Sequence, residues 1–403
     1  MSTRAQVCTW IAAVGLLAPS VAAGQSRTER EIVELIVRDG PQARAIRAQS
    51  EVTRREQLAR LAYPNPSVTY SREGAGFTEF FQAEQLLPLF GVRAALSRAG
   101  VAATAAAEAE RDLRLWLLQS EAATAVARVV AEQARLESAR IQVREVERLI
   151  EILRTREREG EGSRFDRLRG EQELRDTNQL VASAAVAMAE ARATLSGMLP
   201  PDTSLSTVAA MPTTQQPAIP IETLFTRATS MRAELRALQQ LRQRATFEAE
   251  AARRARLPSP NLFGGMKRAD DVSGRETGGV FGVSVALPLL DAGRREAARW
   301  EAERVRVDAE RVFIESRIRG EITGASEVLA IRQGALSQEQ QGAAEELVQI
   351  AEVAYREGEV GILELLDAVR TASRARIRSI ELRLDARLAQ IALERAVGDI
   401  LWP

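Results

Sequence analysis

Histidine is absent from all 403 residues, and cysteine occurs once, at Cys8. Without imidazole or a usable thiolate, a transition-metal site would have to be built from carboxylates alone, which suit harder cations. Ser-His-Asp and Cys-His chemistry is excluded. No Gly-rich phosphate loop, cofactor signature or acid/base pair emerges, so the sequence reads as no enzyme and offers no cofactor or metal site. Net charge is also lacking: 55 basic side chains balance 55 acidic ones. That balance argues against nucleic acid as a partner, which calls for a basic footprint. Beyond the N-terminus no stretch approaches the roughly 18–20 apolar residues of a transmembrane helix. If the chain enters a membrane, it must do so with strands.

The N-terminus reads as a secretory leader over residues 1–23. Arg4 supplies the charged region, Val7 to Leu17 the apolar core, and Val21-Ala22-Ala23 a small-residue cleavage site. Its removal would take Cys8 with it.

What is abundant is helix-forming sequence, and it is laid out twice. One repeat spans residues 24–199 and a second spans 221–403, with a Pro-, Thr-, Ser- and Gln-rich connector at 200–220. The first repeat reads as a helix from about Glu29 to Ala62, then Tyr63-Pro64-Asn65-Pro66 and β-like residues. The phrase Leu87-Pro88-Leu89-Phe90-Gly91 follows, with a very long helix to about Glu159, a break at Gly160 to Ser163, and a helix to Leu199. The second repeat reads as a helix from about Ile221 to Leu257, Pro258-Ser259-Pro260, then β-like residues. It continues through Leu287-Pro288-Leu289-Leu290-Asp291, a long helix to Tyr355, a break at Gly358 to Gly361 and a closing helix. The Pro-x-Pro pairs recur after 194 residues, the Leu-Pro-Leu phrases after 200 and the glycine breaks after 198. Such self-similarity outranks any local signal.

The helices rest on periodicity. Leu174, Val181, Met188 and Leu195 fall seven apart, with Ala184, Ala191 and Met198 three further on, an a/d seam. Ile377, Ile380, Leu384, Leu388 and Ile391 repeat that spacing. Continuous helix from Arg93 to Arg158 would span roughly 100 Å, which suggests a tube. In the β-like stretches, Phe281, Val283, Val285 and Leu287 alternate with small residues. Ser67 to Ser71 alternates too, Phe77 to Leu86 does so poorly, and the turns at Gly74-Ala75-Gly76 and Asp270 to Gly274 suit hairpins. Four such strands cannot close a barrel, since the smallest known use about eight. An open edge is prohibitive in lipid, so several chains must share one barrel.

This order of motifs resembles the TolC-like outer-membrane efflux family, over nearly all of the chain beyond the leader. The residues that carry it are Tyr63-Pro64-Asn65-Pro66, Leu257-Pro258-Ser259-Pro260, the two Leu-Pro-Leu phrases, Gly160-x-x-Ser163-x-x-Asp166 and Tyr355-x-x-Gly358-x-x-Gly361-x-x-Glu364. The resemblance implies a mainly α protein with a small β part. A long antiparallel α-helical barrel would continue a transmembrane β-barrel that a homotrimer shares, four strands to a chain. It implies a passive exit duct in the outer membrane of a Gram-negative bacterium, its helices in the periplasm. There it would dock on a periplasmic adaptor and an inner-membrane pump of RND type. Gly160, Ser163, Asp166, Tyr355, Gly358, Gly361 and Glu364 would form the tip that gates and meets the adaptor. Length and acidic tips are most like the heavy-metal (CzcC-like) branch, which implies metal cations as cargo.

Three features depart from the family pattern. Glu157 stands where the second half has Tyr355, and Gly361 replaces a serine. Gly24 and Gln25 follow the leader where many members carry a lipidated cysteine, so no acyl anchor is expected. Glu157, Glu159, Glu161, Glu357 and Glu359 beside Glu364 read either as an acidic entrance that attracts cations or as solvated hairpin residues. The rival function is a periplasmic adaptor or coiled-coil scaffold without a pore.

Overall fold

The computed structural model describes residues 27–74, 78–201, 203, 217–271, 274–287, 290–339 and 342–402. The expected leader, Gly24 and Gln25, Ala75 and Gly76, Pro288 and Leu289, and most of the 200–220 connector lie outside the described residues.

Both repeats fold as helix, hairpin, long helix and return helix. The first gives α1 (Glu29–Asp39), α2 (Pro41–Arg60), β1 (Ser67–Glu73), β2 (Thr78–Leu86), α3 (Val92–Glu159) and α4 (Arg164–Ser196). The second gives α5 (Ile221–Met231), α6 (Ala233–Arg254), β3 (Pro260–Asp271), β4 (Gly274–Val285), α7 (Arg294–Ser337), α8 (Ala343–Arg356) and α9 (Ile362–Val397). At 68 residues, α3 is about 100 Å long.

Three expected helices are interrupted. Gly40 is extended, and Pro41, whose ring suits a first helical position, restarts the chain as α2. Arg232 is extended between α5 and α6, where its guanidinium donates to the carbonyls of Arg395 and Ala396 at the end of α9. The second long helix stops at Ser337 and restarts after Gly342, which has a left-handed φ of 92°. Its counterpart α3 is unbroken.

The packing follows residue size. Ala99, Ala102, Ala103 and Ala106 of α3 and Ala245, Ala249 and Ala252 of α6 are all buried, and these helices pack closely because neither presents bulk. Where larger side chains occur, the expected seam appears: Met188, Leu195 and Met198 join Ile32, Ile36, Leu118 and Val126 in one cluster. A matching cluster in the second repeat holds Leu224, Leu235, Ile318, Ile322 and Leu393. Each such side chain contributes roughly 1.5–3 kcal/mol on burial. The α9 seam is shifted from its expected line: Ile391 is buried, but Ile377 is exposed and Leu365, Leu366 and Val369 pack instead.

The strands form one antiparallel sheet in the order β1-β2-β3-β4. Cross-strand partners share a face, so the register sorts the side chains. Val68, Ala83, Gly264 and Phe281 form one row, and Tyr70, Phe81, Met266 and Gly279 the next. Leu262 and Val283 extend that face, which is mainly apolar and exposed through these rows, Phe281 at 88%, and carries Arg72, Glu79, Arg268 and Arg275 nearer the hairpin turns. The other face carries Ser67, Thr69, Ser71, Gln82, Glu84, Asn261 and Ser284. Poor alternation in β2 has a local cause: Phe80 and Phe81 are adjacent, so an aromatic points to each face. Thr78 to Glu84 nonetheless pairs on both sides, and Gln85 and Leu86 pair with β3.

Candidate functional site: the two hairpin tips

Each long descending helix turns back at the end remote from the sheet. The first tip forms because Gly160 takes a left-handed φ of 79° and lets the N–H groups of Glu161 and Gly162 donate to the Arg156 carbonyl at 2.9 and 3.0 Å. Ser163 then caps α4 by accepting from the Asp166 N–H at 3.1 Å. The second tip repeats the turn with Gly358 at φ 79°, where the Glu359 N–H donates to the Ala354 carbonyl. Here Gly361 stands in the capping place of Ser163 with no side chain to accept. The Glu364 carboxylate folds back over it, 2.9 Å from where a Cβ would stand.

The two tips touch through Tyr355 and Arg156. Tyr355 is 4% exposed and packs with Leu149, Leu153, Ile362, Leu365 and Leu366. The Arg156 guanidinium lies 5.0 Å from its ring centroid and donates to its carbonyl at 2.5 Å. Burial pushes the Tyr355 phenol above its ordinary value, the nearby Asp166 carboxylate adds to that, and Arg156 opposes it. One cation thus holds a ring and a helix C-terminus of the other hairpin, where positive charge is favoured.

Of the acidic residues, Glu157 is committed: Arg167 donates to it at 2.7 Å and to Glu171 at 2.8 Å. Glu159, Glu161, Glu357 and Glu359 are exposed, and among the described residues neither they nor Glu364 form an ion pair. Asp270, beside the outer turn of the sheet, is paired with Arg275 at 2.8 Å. Among the described residues no cluster of three or more acidic, His or Cys side chains could hold a metal, and no helix is long and apolar enough to cross a membrane.

Arg156 and Arg167 are site residues that the motifs did not single out. Both are arginines in strongly charged helices, and no spacing in the sequence distinguishes them from their neighbours.

Residues 224–399 match the model of the outer membrane efflux protein family. The second repeat of the chain is thus similar to the outer membrane efflux protein family. That family comprises passive channels, not enzymes. The fold is shared over 92–93% of the chain with solved channels. It matches the transmembrane channel CusC with a TM-score of 0.76 at 17% identity, covering 93% of each chain. The open MtrE outer membrane channel of Neisseria gonorrhoeae gives 0.75 at 19%, over 93% of this chain and 89% of that one. The outer membrane protein VceC of Vibrio cholerae gives 0.72 at 16%, over 92% and 96%. No curated protein sequence matches.

Proposed function

We propose that this protein is the outer-membrane exit duct of a tripartite efflux system, working as a homotrimer. The observation that carries the reading is the sheet: one face apolar and exposed, the other polar, and both edges unpaired. In a bilayer the apolar face would meet lipid and the polar face water, but free β1 and β4 edges would leave backbone groups without partners in hydrocarbon. Pairing β4 of one copy with β1 of the next removes the edges, and three copies give twelve strands. The helices support the same closure. In the half nearer the sheet the order α2-α3-α6-α7 leaves α2 and α7 as edges. Val52 and Leu58 are exposed on one, and Val305, Val312 and Phe313 on the other.

Substrate passes along the water-filled lumen, driven by an inner-membrane pump of RND type and received through a periplasmic adaptor. The tips, with Gly160, Ser163 and Asp166 beside Tyr355, Gly358, Gly361 and Glu364, form the gate and docking surface, and the Arg156–Tyr355 contact holds the gate closed. Glu159, Glu161, Glu357 and Glu359 draw cations to the entrance, which suits a heavy-metal cargo.

The purified oligomer in a planar bilayer tests this. The reading expects discrete single-channel openings from a heat-modifiable oligomer. A monomer that opens no pore, even with Glu359 and Glu364 changed to Gln, overturns it.

A further inference from the structure

Of the 55 basic side chains in the sequence, a single one is lysine, Lys267. Lysine differs from arginine in being a compact, strongly hydrated point charge, whereas the guanidinium fork suits paired carboxylates. The arginines of this chain behave accordingly, tied to carboxylates along and between the helices, as in Arg306 with Glu303 and Glu310 or Arg376 with Glu145 and Glu345. Lys267 is the exception in placement as well as in kind. It sits in β3 opposite Phe80 and Gly278, on the polar face of the sheet. Its ammonium lies 5.2 Å from the Phe80 ring centroid, and among the described residues it forms no ion pair. No other cation stands on that face among the described strand residues. Arg72, Arg268 and Arg275 all belong to the apolar-face rows, towards their outer end.

We propose that Lys267 sets the charge preference of the outer part of the duct, as a ring of one ammonium per copy resting on Phe80 and facing the lumen. This rests on the duct reading. The position suits a field-setting charge. Gly278 beside it has open space where a Cβ would be, so nothing screens the ammonium from the lumen on the β4 side. The nearest carboxylate on the same face, Glu276, is diagonal to it and opposite Ala269, and the two form no ion pair. Glu73, Glu84 and Glu276 share the polar face, so at its own level the ring offsets their attraction for cations and lowers the cation preference of the outer end.

The test is reversal potential across a planar bilayer under a salt gradient, for the wild-type oligomer, Lys267→Arg and Lys267→Glu. Because screening lengths are about 10 Å at 0.1 M and 3 Å at 1 M, the effect belongs to low salt. The expectation at 0.1 M is a shift towards cations of roughly fourfold for Lys267→Glu, no change for Lys267→Arg, and convergence of all three at 1 M. Acetic anhydride, which neutralises lysine, should move wild type in the direction of Lys267→Glu and leave Lys267→Arg unmoved. A pore whose selectivity is the same in all three proteins and indifferent to the reagent removes this proposal and leaves the duct intact. A wild-type protein that opens no pore removes both.

Discussion

Glu173 of α4 is held by Arg370 of α9, two residues 197 positions apart that tie the return helices of the two repeats together. The carboxylate side chain is 7% exposed and the guanidinium 42%. Truncating the outer partner strands the inner charge. Arg370→Ala should therefore cost about 2 kcal/mol, at the lower end for a broken buried pair because the arginine is partly solvated. Replacing both residues by Met should recover most of that loss, since a buried pair is often no better than an apolar one. Urea midpoints of the detergent-solubilised protein by circular dichroism decide it. Equal midpoints for Arg370→Ala and wild type would show that the pair holds nothing.

The Arg156 contact at the tips predicts a gating phenotype. Losing a charged hydrogen bond and a cation–π contact together is worth about 2 kcal/mol, or roughly thirtyfold in the closed-to-open equilibrium. Arg156→Ala and Tyr355→Ala should each raise open probability in single-channel records. The double variant should add little to Arg156→Ala, because Tyr355→Ala removes the ring half of the contact and keeps the carbonyl that accepts from Arg156. Additive effects would mean the two residues act separately.

Tyr355 also gives the tip a pH dependence, with a defined sign. Its raised value means that the folded protein holds the phenolic proton more tightly than the unfolded chain does. The stability from the buried neutral phenol is complete below the ordinary value of 10.0 and is lost as pH rises through the raised one. In a Tyr63→Phe, Tyr70→Phe background Tyr355 is the single tyrosine left, and its phenolate absorbance reports directly. The absorbance midpoint should lie above 10.0, with channel opening rising alongside. A midpoint at or below 10.0 would contradict burial at the tip.

Much of this architecture was legible because it is periodic. The duplicated motifs placed both hairpins and both tips, and the Leu174 to Leu195 spacing marked the apolar stripe of α4, of which Met188 and Leu195 are buried. Positions set by distant partners were not legible. Arg232 breaks the α5–α6 helix because carbonyls 163 and 164 residues away attract it. The α7–α8 interruption carries no proline, and its glycine resembles others that α7 tolerates, such as Gly320 and Gly324. β2 was obscured by the Phe80-Phe81 pair, whose two rings serve opposite faces. At the tips the glycines announced the turns, but the pairing of Glu157 with Arg167 and the grip of Arg156 on Tyr355 depend on how the two hairpins pack, and local spacing does not encode that.

The two faces of the sheet make the sharpest structural prediction, because residues on opposite faces should respond in opposite ways. Phe281 projects from the face assigned to lipid, so Phe281→Arg places a charge in hydrocarbon and should cost about 2–4 kcal/mol near the bilayer midplane. Thr69, exposed on the polar face, would put the same charge into water, so Thr69→Arg should leave the protein intact. Heat-modifiable oligomer recovered from outer membranes measures both, with loss expected for the first and wild-type yield for the second. Exchanged outcomes would mean that the sheet faces the other way. Equal tolerance of both would mean that neither face meets lipid, and a closed barrel of shared strands would have no place in this protein.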